Sequence, residues 1–338
     1  MDNEKVDIVL TWLDSNDPMW QKSRMDAEQI YNPEEGSNND IRFESWDNLK
    51  YWFRAIEKCM PWVNRVFLIT CGQRPDFLNL SDSRIKLVDH NDYIPKEYLP
   101  TYNSNTIEMN LHRIEDLSEN FVLFNDDVFP LGEIPLDMYF SGNRVCDEAI
   151  ENIITTKAFG PVSNMARYAQ VNNMFIINKY FNKREVQARN PELWFNEAYG
   201  DRLERTKSLV YWNDFPGFYD PHLANALKKS TLKKIWDLET DVLDRASRNH
   251  FRAHTDVTQY LIRYWQLCEG NFCPRKAEGK VFFVDISNYM EVAKSIRNKE
   301  YRIISINENA TPEEFQIIKT EINHALDEIF PEKSSFEK

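Results

Sequence analysis

Glycine is scarce, with 9 in 338 residues. None is arranged as G-x-G-x-x-G or as a phosphate loop ending in Gly-Lys-Ser/Thr, which argues against dinucleotide oxidoreductases and P-loop enzymes. A G-x-S-x-G elbow and an H-E-x-x-H helix are missing too, so an α/β-hydrolase and a zinc protease are disfavoured. Positive charge is in short supply: 41 Lys and Arg face 54 Asp and Glu, a formal net charge of -13. DNA and RNA need a basic surface, so nucleic acid is not an expected partner. An anionic ligand such as a nucleotide would need a local basic pocket, helped by a divalent cation. No apolar run approaches the roughly 20 residues that span a bilayer. "MDNEKVDIVLTWLD" lacks a basic start before an apolar stretch, so no secretory leader is expected. The five cysteines are odd in number and scattered, and no second pair matches Cys268 and Cys273 at zinc-site spacing. Reduced thiols in a cytoplasmic protein are the expectation.

Hydrophobic residues make up 42% and aromatics 13%, the profile of a globular chain with a sizeable core. Short apolar runs alternate with amphipathic segments. Strands are expected at 6–12, 65–70, 84–90 and 120–124, with helices over 43–62 and 105–118. That alternation implies an α/β fold with a mainly parallel, Rossmann-like sheet and helices on both faces. Residues 131–215 are irregular, and 169–181 reads as either helix or strand. The stretch 220–237 reads as a helix with Asp220 as N-cap and Pro221 in its first turn. A second helix is expected over 256–270, strands at 280–287 and 302–307, and a last helix opened by the capping box of Thr311 and Glu314. The chain divides into an α/β half (1–130), a substrate-shaping region (131–215) and a helical C-terminal half (216–338) packed on the sheet. No repeat or linker separates them.

Each of the first four strands ends in polar residues: Thr11, Asp14 and Asp17; Thr70, Gly72 and Gln73; Asp89 and His90; Asn125, Asp126 and Asp127. In a parallel sheet those ends share one edge, where ligands bind. Adjacent carboxylates repel unless something positive lies close. Asp126 and Asp127 directly follow "FVLF", which favours a site for Mg²⁺ or Mn²⁺ over an ordinary surface turn. "TWLDSNDP" fits either a plain loop or a nucleotide pocket with Trp12 stacked on a base. Glu108 shares a helix face with His112 but has capping-box spacing from Asn105, and the cap is preferred; His112 is left open. His222, Arg252 and Asp256 have ordinary structural explanations: a polar niche in a first helical turn, and a helix cap. Lys228, Lys229, Lys233 and Lys234 read as a solvated helix face.

The segments "DIVLTWLDSNDP", "LKYWFRAIEKCMPWVNRVFLITCGQRPDFLN", "RIKLVDHNDYIP", "LPTYNSNTIEMNLHRIEDLSENFVLFNDDVF" and "FPEKSSFE" together resemble the Stealth family. That family includes bacterial capsular polysaccharide phosphotransferases and the N-acetylglucosamine-1-phosphotransferase that marks lysosomal enzymes. The resemblance implies transfer of a sugar 1-phosphate from a nucleotide-sugar donor to a polysaccharide or glycan acceptor, lipid-linked acceptors included, on Mg²⁺ or Mn²⁺. An acceptor of that kind would draw the protein to the inner face of the membrane. The implied catalytic residues are Asp127, His222, Arg252 and Arg54, with Asp126 and Asp127 on the metal. The implied substrate-binding residues are Thr11, Trp12, Asp14, Asp17, Gly72, Gln73, Asn105, Asn125, Asp256 and Asn307. Ser305 stands where the family often has Cys, and Glu308 where it often has Asp, so a metal contact from Glu308 is not expected. Two other functions compete: a metal-dependent glycosyltransferase releasing a nucleoside diphosphate, and a binding module without turnover.

Overall fold

The computed structural model describes residues 5–37, 43–156 and 161–338. Strands β1 (Val6–Thr11), β2 (Val66–Thr70), β3 (Ile85–Asp89) and β4 (Asn120–Phe124) form the parallel part of the central sheet. β1, β2 and β4 are apolar and buried along almost their whole length, as strands covered on both faces must be. Beyond β4 come β5 (Val128–Pro130), β6 (Phe140–Ser141) and β7 (Arg144–Asp147). β8 (Asn225–Lys228) joins the central sheet as an antiparallel edge beside β4, giving the order β3-β2-β1-β4-β8. β9 (Phe272–Pro274) completes a small sheet with β6 and β7. β10 (Lys280–Val284) and β11 (Ile303–Glu308) form a third sheet with β5. The fold is α/β and mostly parallel, with a helical C-terminal half. One buried apolar cluster runs from Val6 to Phe336 and draws on all parts of the chain. No helix among the described residues is long and apolar enough to cross a membrane.

Several local expectations hold. Thr311 and Glu314 cap the helix Pro312–Ile329 reciprocally, and Phe315, Ile318, Ile322 and Leu326 form its buried stripe. Gly270, at φ +73°, ends the helix Tyr260–Glu269. The ambiguous 169–181 stretch lies, but for its last residue, in the helix Pro161–Tyr180.

Other expectations give way to tertiary contacts. The expected helix over 220–237 is a strand followed by a helix, Lys229–Leu238. Asp220 caps nothing; buried, it accepts from Arg263, Tyr264 and Gln170. Pairing with β4 supplies the hydrogen bonds a helix would have made, and Leu227 is fully buried. Lys228 is buried within β8, and Lys229 donates to the carbonyls of Ile114, Glu115 and Leu117, so neither is a solvated face. The expected helix over 105–118 is only Ser104–Met109, followed by a tight turn at Leu111–Arg113. Asn103, not Asn105, is its N-cap. Likewise the helix expected over 43–62 is confined to Leu49–Cys59.

Candidate active site

β1 to β4 run the same way, so their C-terminal ends share one edge. The order β3-β2-β1-β4 changes direction between β1 and β4, and open α/β sheets bind ligands in the crevice at such a point. Asn125, Asp126 and Asp127 leave β4 there. Because β8 is antiparallel to β4, with Asn225 opposite Leu123, the chain enters β8 at the same edge. His222, just before β8, is thereby set against Asp127, with Nε2 3.3 Å from Oδ2. His222 adopts φ +50°, a left-handed conformation that is uncommon outside glycine and gathers at functional sites.

Asp127 is anchored from a third direction by β11. Ser305 Oγ donates to Asp127 Oδ2 at 2.9 Å, and the Asn307 amide donates to Ser305 Oγ at 2.8 Å. The Ile306 N–H donates to the Asp127 carbonyl at 2.9 Å. Serine thus serves where a cysteine would be a weaker donor. Asp127 Oδ1 is buried with no hydrogen-bond partner among the described residues.

The electrostatics of this corner are unusual. Burial opposes charge on His222, but the hydrogen bond and charge of Asp127, with the charge of Glu108, outweigh it and hold its pKa above the ordinary histidine value. Glu108 is buried, and burial pushes its carboxyl up to about 7 despite the opposing charges of Arg252 and His222. Asp126 is open to water on one side yet recessed among protein atoms. That enclosure, then the charges of Asp127 and Glu308, push it up to about 7.

Arg252 Nη2 donates to Ser104 Oγ at 2.9 Å, and among the described residues no carboxylate sits within ion-pair distance of it. Its loop is organised by Asp256, which accepts from the amides of Asn103 and Asn105 at 2.9 Å each and of Asn249 at 2.7 Å, and from the Ala253 N–H at 3.1 Å. Asn105 and Asp256 therefore hold Arg252's loop against the helix Ser104–Met109. Gln73 plays a similar part at β2. It accepts from Asp14 N–H at 2.8 Å and donates to the Asp14 carbonyl at 2.8 Å and Asp17 Oδ2 at 3.1 Å. Asp17 also caps the helix Pro18–Tyr31 by accepting from Met19 N–H at 2.9 Å. Gly72 has φ +91°, and a Cβ there would come within 3.0 Å of Asp89 Oδ2. Thr11 and Trp12 are half-buried at the end of β1, with Trp12 packed against the core.

Arg54, for which the resemblance implies a catalytic role, bonds to the C-terminal segment. Its Nε and Nη2 donate to both oxygens of Glu337, at 2.8 and 2.9 Å, and Nη1 donates to the carbonyls of Phe330 and Pro331. Arg54 spends its donors on tying down the C-terminal segment. Glu108, expected to cap a helix, caps none and lies within electrostatic reach of His222 and Arg252. Its i, i+4 relation to His112 pointed at the helix face but could not say which residue faces the rim. His112 packs on Trp236, and burial drives its pKa down to about 3, so it is a neutral packing residue.

A family profile described as Stealth protein CR2, conserved region 2, matches residues 42–147. The chain is 38% identical over 336 residues to the capsular polysaccharide phosphotransferase WcwK of Streptococcus pneumoniae, covering 99% of this chain and 98% of that one. It is 35% identical to the exopolysaccharide phosphotransferase cps2G of Lactiplantibacillus plantarum, covering 98% and 96%. It is 33% identical to the receptor polysaccharide phosphotransferase WefC of Streptococcus gordonii, covering 99% of both. The chain belongs to the Stealth family. In this Stealth protein the matched region supplies Glu108, Asn125, Asp126 and Asp127. His222, Arg252, Ser305 and Asn307 reach the same corner from outside it.

The corner also suits a divalent cation. Two carboxylates lie side by side, one with a buried, unpartnered oxygen and the other raised by desolvation and then by neighbouring negative charge. Among the described residues no group of three or more His, Cys, Asp or Glu is arranged as a metal cage. Mg²⁺ is commonly held by one or two carboxylates plus water and substrate phosphates, which matches what Asp126 and Asp127 offer.

Proposed function

We propose that this Stealth protein is a polysaccharide phosphotransferase that moves a hexose 1-phosphate from a nucleotide sugar to an acceptor hydroxyl in capsular or exopolysaccharide synthesis. The acceptor oxygen attacks the phosphorus next to the sugar. The bond from that phosphorus to the nucleoside monophosphate breaks, leaving a phosphodiester and a free nucleoside monophosphate. The observation that carries this reading is the joining of His222 to Asp127 beside Arg252, at the sheet's crevice.

Each residue has a part. His222 takes the acceptor's proton, and Asp127 Oδ2 orients the imidazole and steadies the imidazolium that forms. A positioned base contributes roughly 10²–10⁴-fold. Arg252 is always charged and can grip two phosphate oxygens at once. Buried Glu108 balances the charges of His222 and Arg252. Asp126 and Asp127 Oδ1 would hold Mg²⁺ or Mn²⁺, which when bound offsets negative charge on the diphosphate.

The test is a screen of nucleotide sugars with Mg²⁺ and a polysaccharide acceptor, reading the released nucleotide. A nucleoside monophosphate supports the proposal. A nucleoside diphosphate would make the protein a glycosyltransferase, and tight binding without turnover would make it a binding module.

A further inference from the structure

A cavity of about 500 Å³ opens beside the C-terminal ends of β2 and β3, away from His222. Its walls include Trp20, Tyr102, Cys71, His90 and Thr101, with Lys96 at the edge. The two aromatic rings meet at 5.9 Å, nearly edge to face, and Ser23 Oγ lies 2.6 Å from the Tyr102 hydroxyl. His90 is 8% exposed, and its ring nitrogens have no hydrogen-bond partner among the described residues. Burial drives its pKa down to about 4, so near neutral pH it presents one donor and one acceptor. Asp17 lines the same cavity and accepts a hydrogen bond from Gln73, a residue of the rim.

We propose that this cavity takes the nucleoside of the donor, with the base between Trp20, Tyr102 and His90 and the ribose toward Asp17. The inference rests on the nucleotide-sugar reading above. Adjacent strands lie about 4.8 Å apart, so β4 and the β2–β3 boundary are separated by roughly 10–14 Å. An extended nucleoside diphosphate covers that span, its phosphates at Asp126 and Asp127 and its base at His90. Doubly wound sheets divide a dinucleotide in the same sense, across the point where strand order reverses. The base is thus assigned to this cavity and not to Trp12, which is packed against the core.

Two variants test it. His90→Leu removes the polar edge at similar bulk. Ser23→Trp, on an exposed helix face at the cavity wall, fills the space without disturbing the core. Binding of UMP, CMP, GMP and AMP is measured by calorimetry with Mg²⁺, and pyrophosphate serves as the probe of the phosphate end. Folding is checked by circular dichroism. The expected result is at least a tenfold loss of affinity for the preferred nucleotide in both variants, with pyrophosphate affinity within twofold of wild type. Folded variants that bind the nucleotide as wild type does would overturn the cavity assignment and leave the nucleotide-sugar reading standing. Equal losses for nucleotide and pyrophosphate would also overturn it. A wild-type protein that binds no nucleotide or nucleotide sugar would overturn both.

Discussion

His222 Nε2 lies 3.3 Å from Asp127 Oδ2, although the two residues come from different halves of the chain. The contact exists because β8 returns antiparallel along β4. His222→Ala should leave the fold intact, since the side chain is 40% exposed, and should reduce turnover by roughly 10²–10⁴-fold. Arg252→Ala should likewise lose most turnover. Nucleotide release by purified, folded variants is the measurement, and a wild-type rate in either removes that residue from the mechanism.

The same contact sets a pH dependence. A raised folded-state pKa means His222 stays protonated beyond its usual range, so kcat/KM should rise with pH through a value above 6.5. Asp127→Asn removes the hydrogen bond and charge that do most to raise the pKa; the charge of Glu108 still raises it, while burial and Arg252 lower it. The imidazole of that variant, followed by NMR titration, should lose its proton below the wild-type value. An unchanged titration would mean the hydrogen bond has no influence on the base.

Glu108 should trade stability for function. Its folded pKa of about 7 lies above the ordinary 4.5, so the folded state binds the extra proton. Stability therefore falls as pH rises from about 4.5 to about 7. Glu108→Gln should be more stable than wild type above pH 7, by roughly 1–3 kcal/mol, and show no such gain below pH 4.5. Its turnover should drop. Urea denaturation at pH 4.5 and 8 separates the two, and a gain that ignores pH would show that charge on Glu108 is not the cause.

Chelation with EDTA should stop turnover, and Mg²⁺ or Mn²⁺ should restore it. Asp126 is held near pH 7 by its enclosure and its acidic neighbours, so cation binding should strengthen between pH 5 and 8 as the carboxyl ionises. Thermal shifts with and without Mg²⁺ report this, and Asp126→Asn should abolish the shift. An equal shift in wild type and variant would place the cation elsewhere.

Arg54 gives the opposite pattern. Arg54→Ala leaves the carboxylate of Glu337, 4% exposed, without its cationic partner and with only the Ser334 donors, a loss of up to roughly 3–5 kcal/mol. The fraction that folds should keep near-normal KM and kcat. A stable but inactive Arg54→Ala protein would return this residue to the active site.

Much of the architecture is legible in local pattern. Apolar runs such as "IVL", "VFLI" and "FVLF" read as covered strands, and their parallel repetition places every polar strand end on one edge. Asp126 and Asp127 are visible at once because two carboxylates follow a buried run. Thr311 and Glu314 are equally plain, since a capping box is a local arrangement. What local pattern cannot convey is which distant segment completes a sheet. The stretch 220–237 has helical periodicity, but its first apolar residues become β8 because β4 offers an open edge. That exchange carries His222 to Asp127. Glu108 has cap-like spacing, yet Asn103 takes the cap and leaves the carboxylate facing Arg252. Arg54 has the charge of a phosphate clamp, but the chain's own C-terminal carbonyls and Glu337 occupy it first. Helices and caps follow from hydrogen bonds a few residues apart, whereas strand pairing and the corner it builds depend on contacts between distant segments, whose energy appears only when the whole sheet has closed.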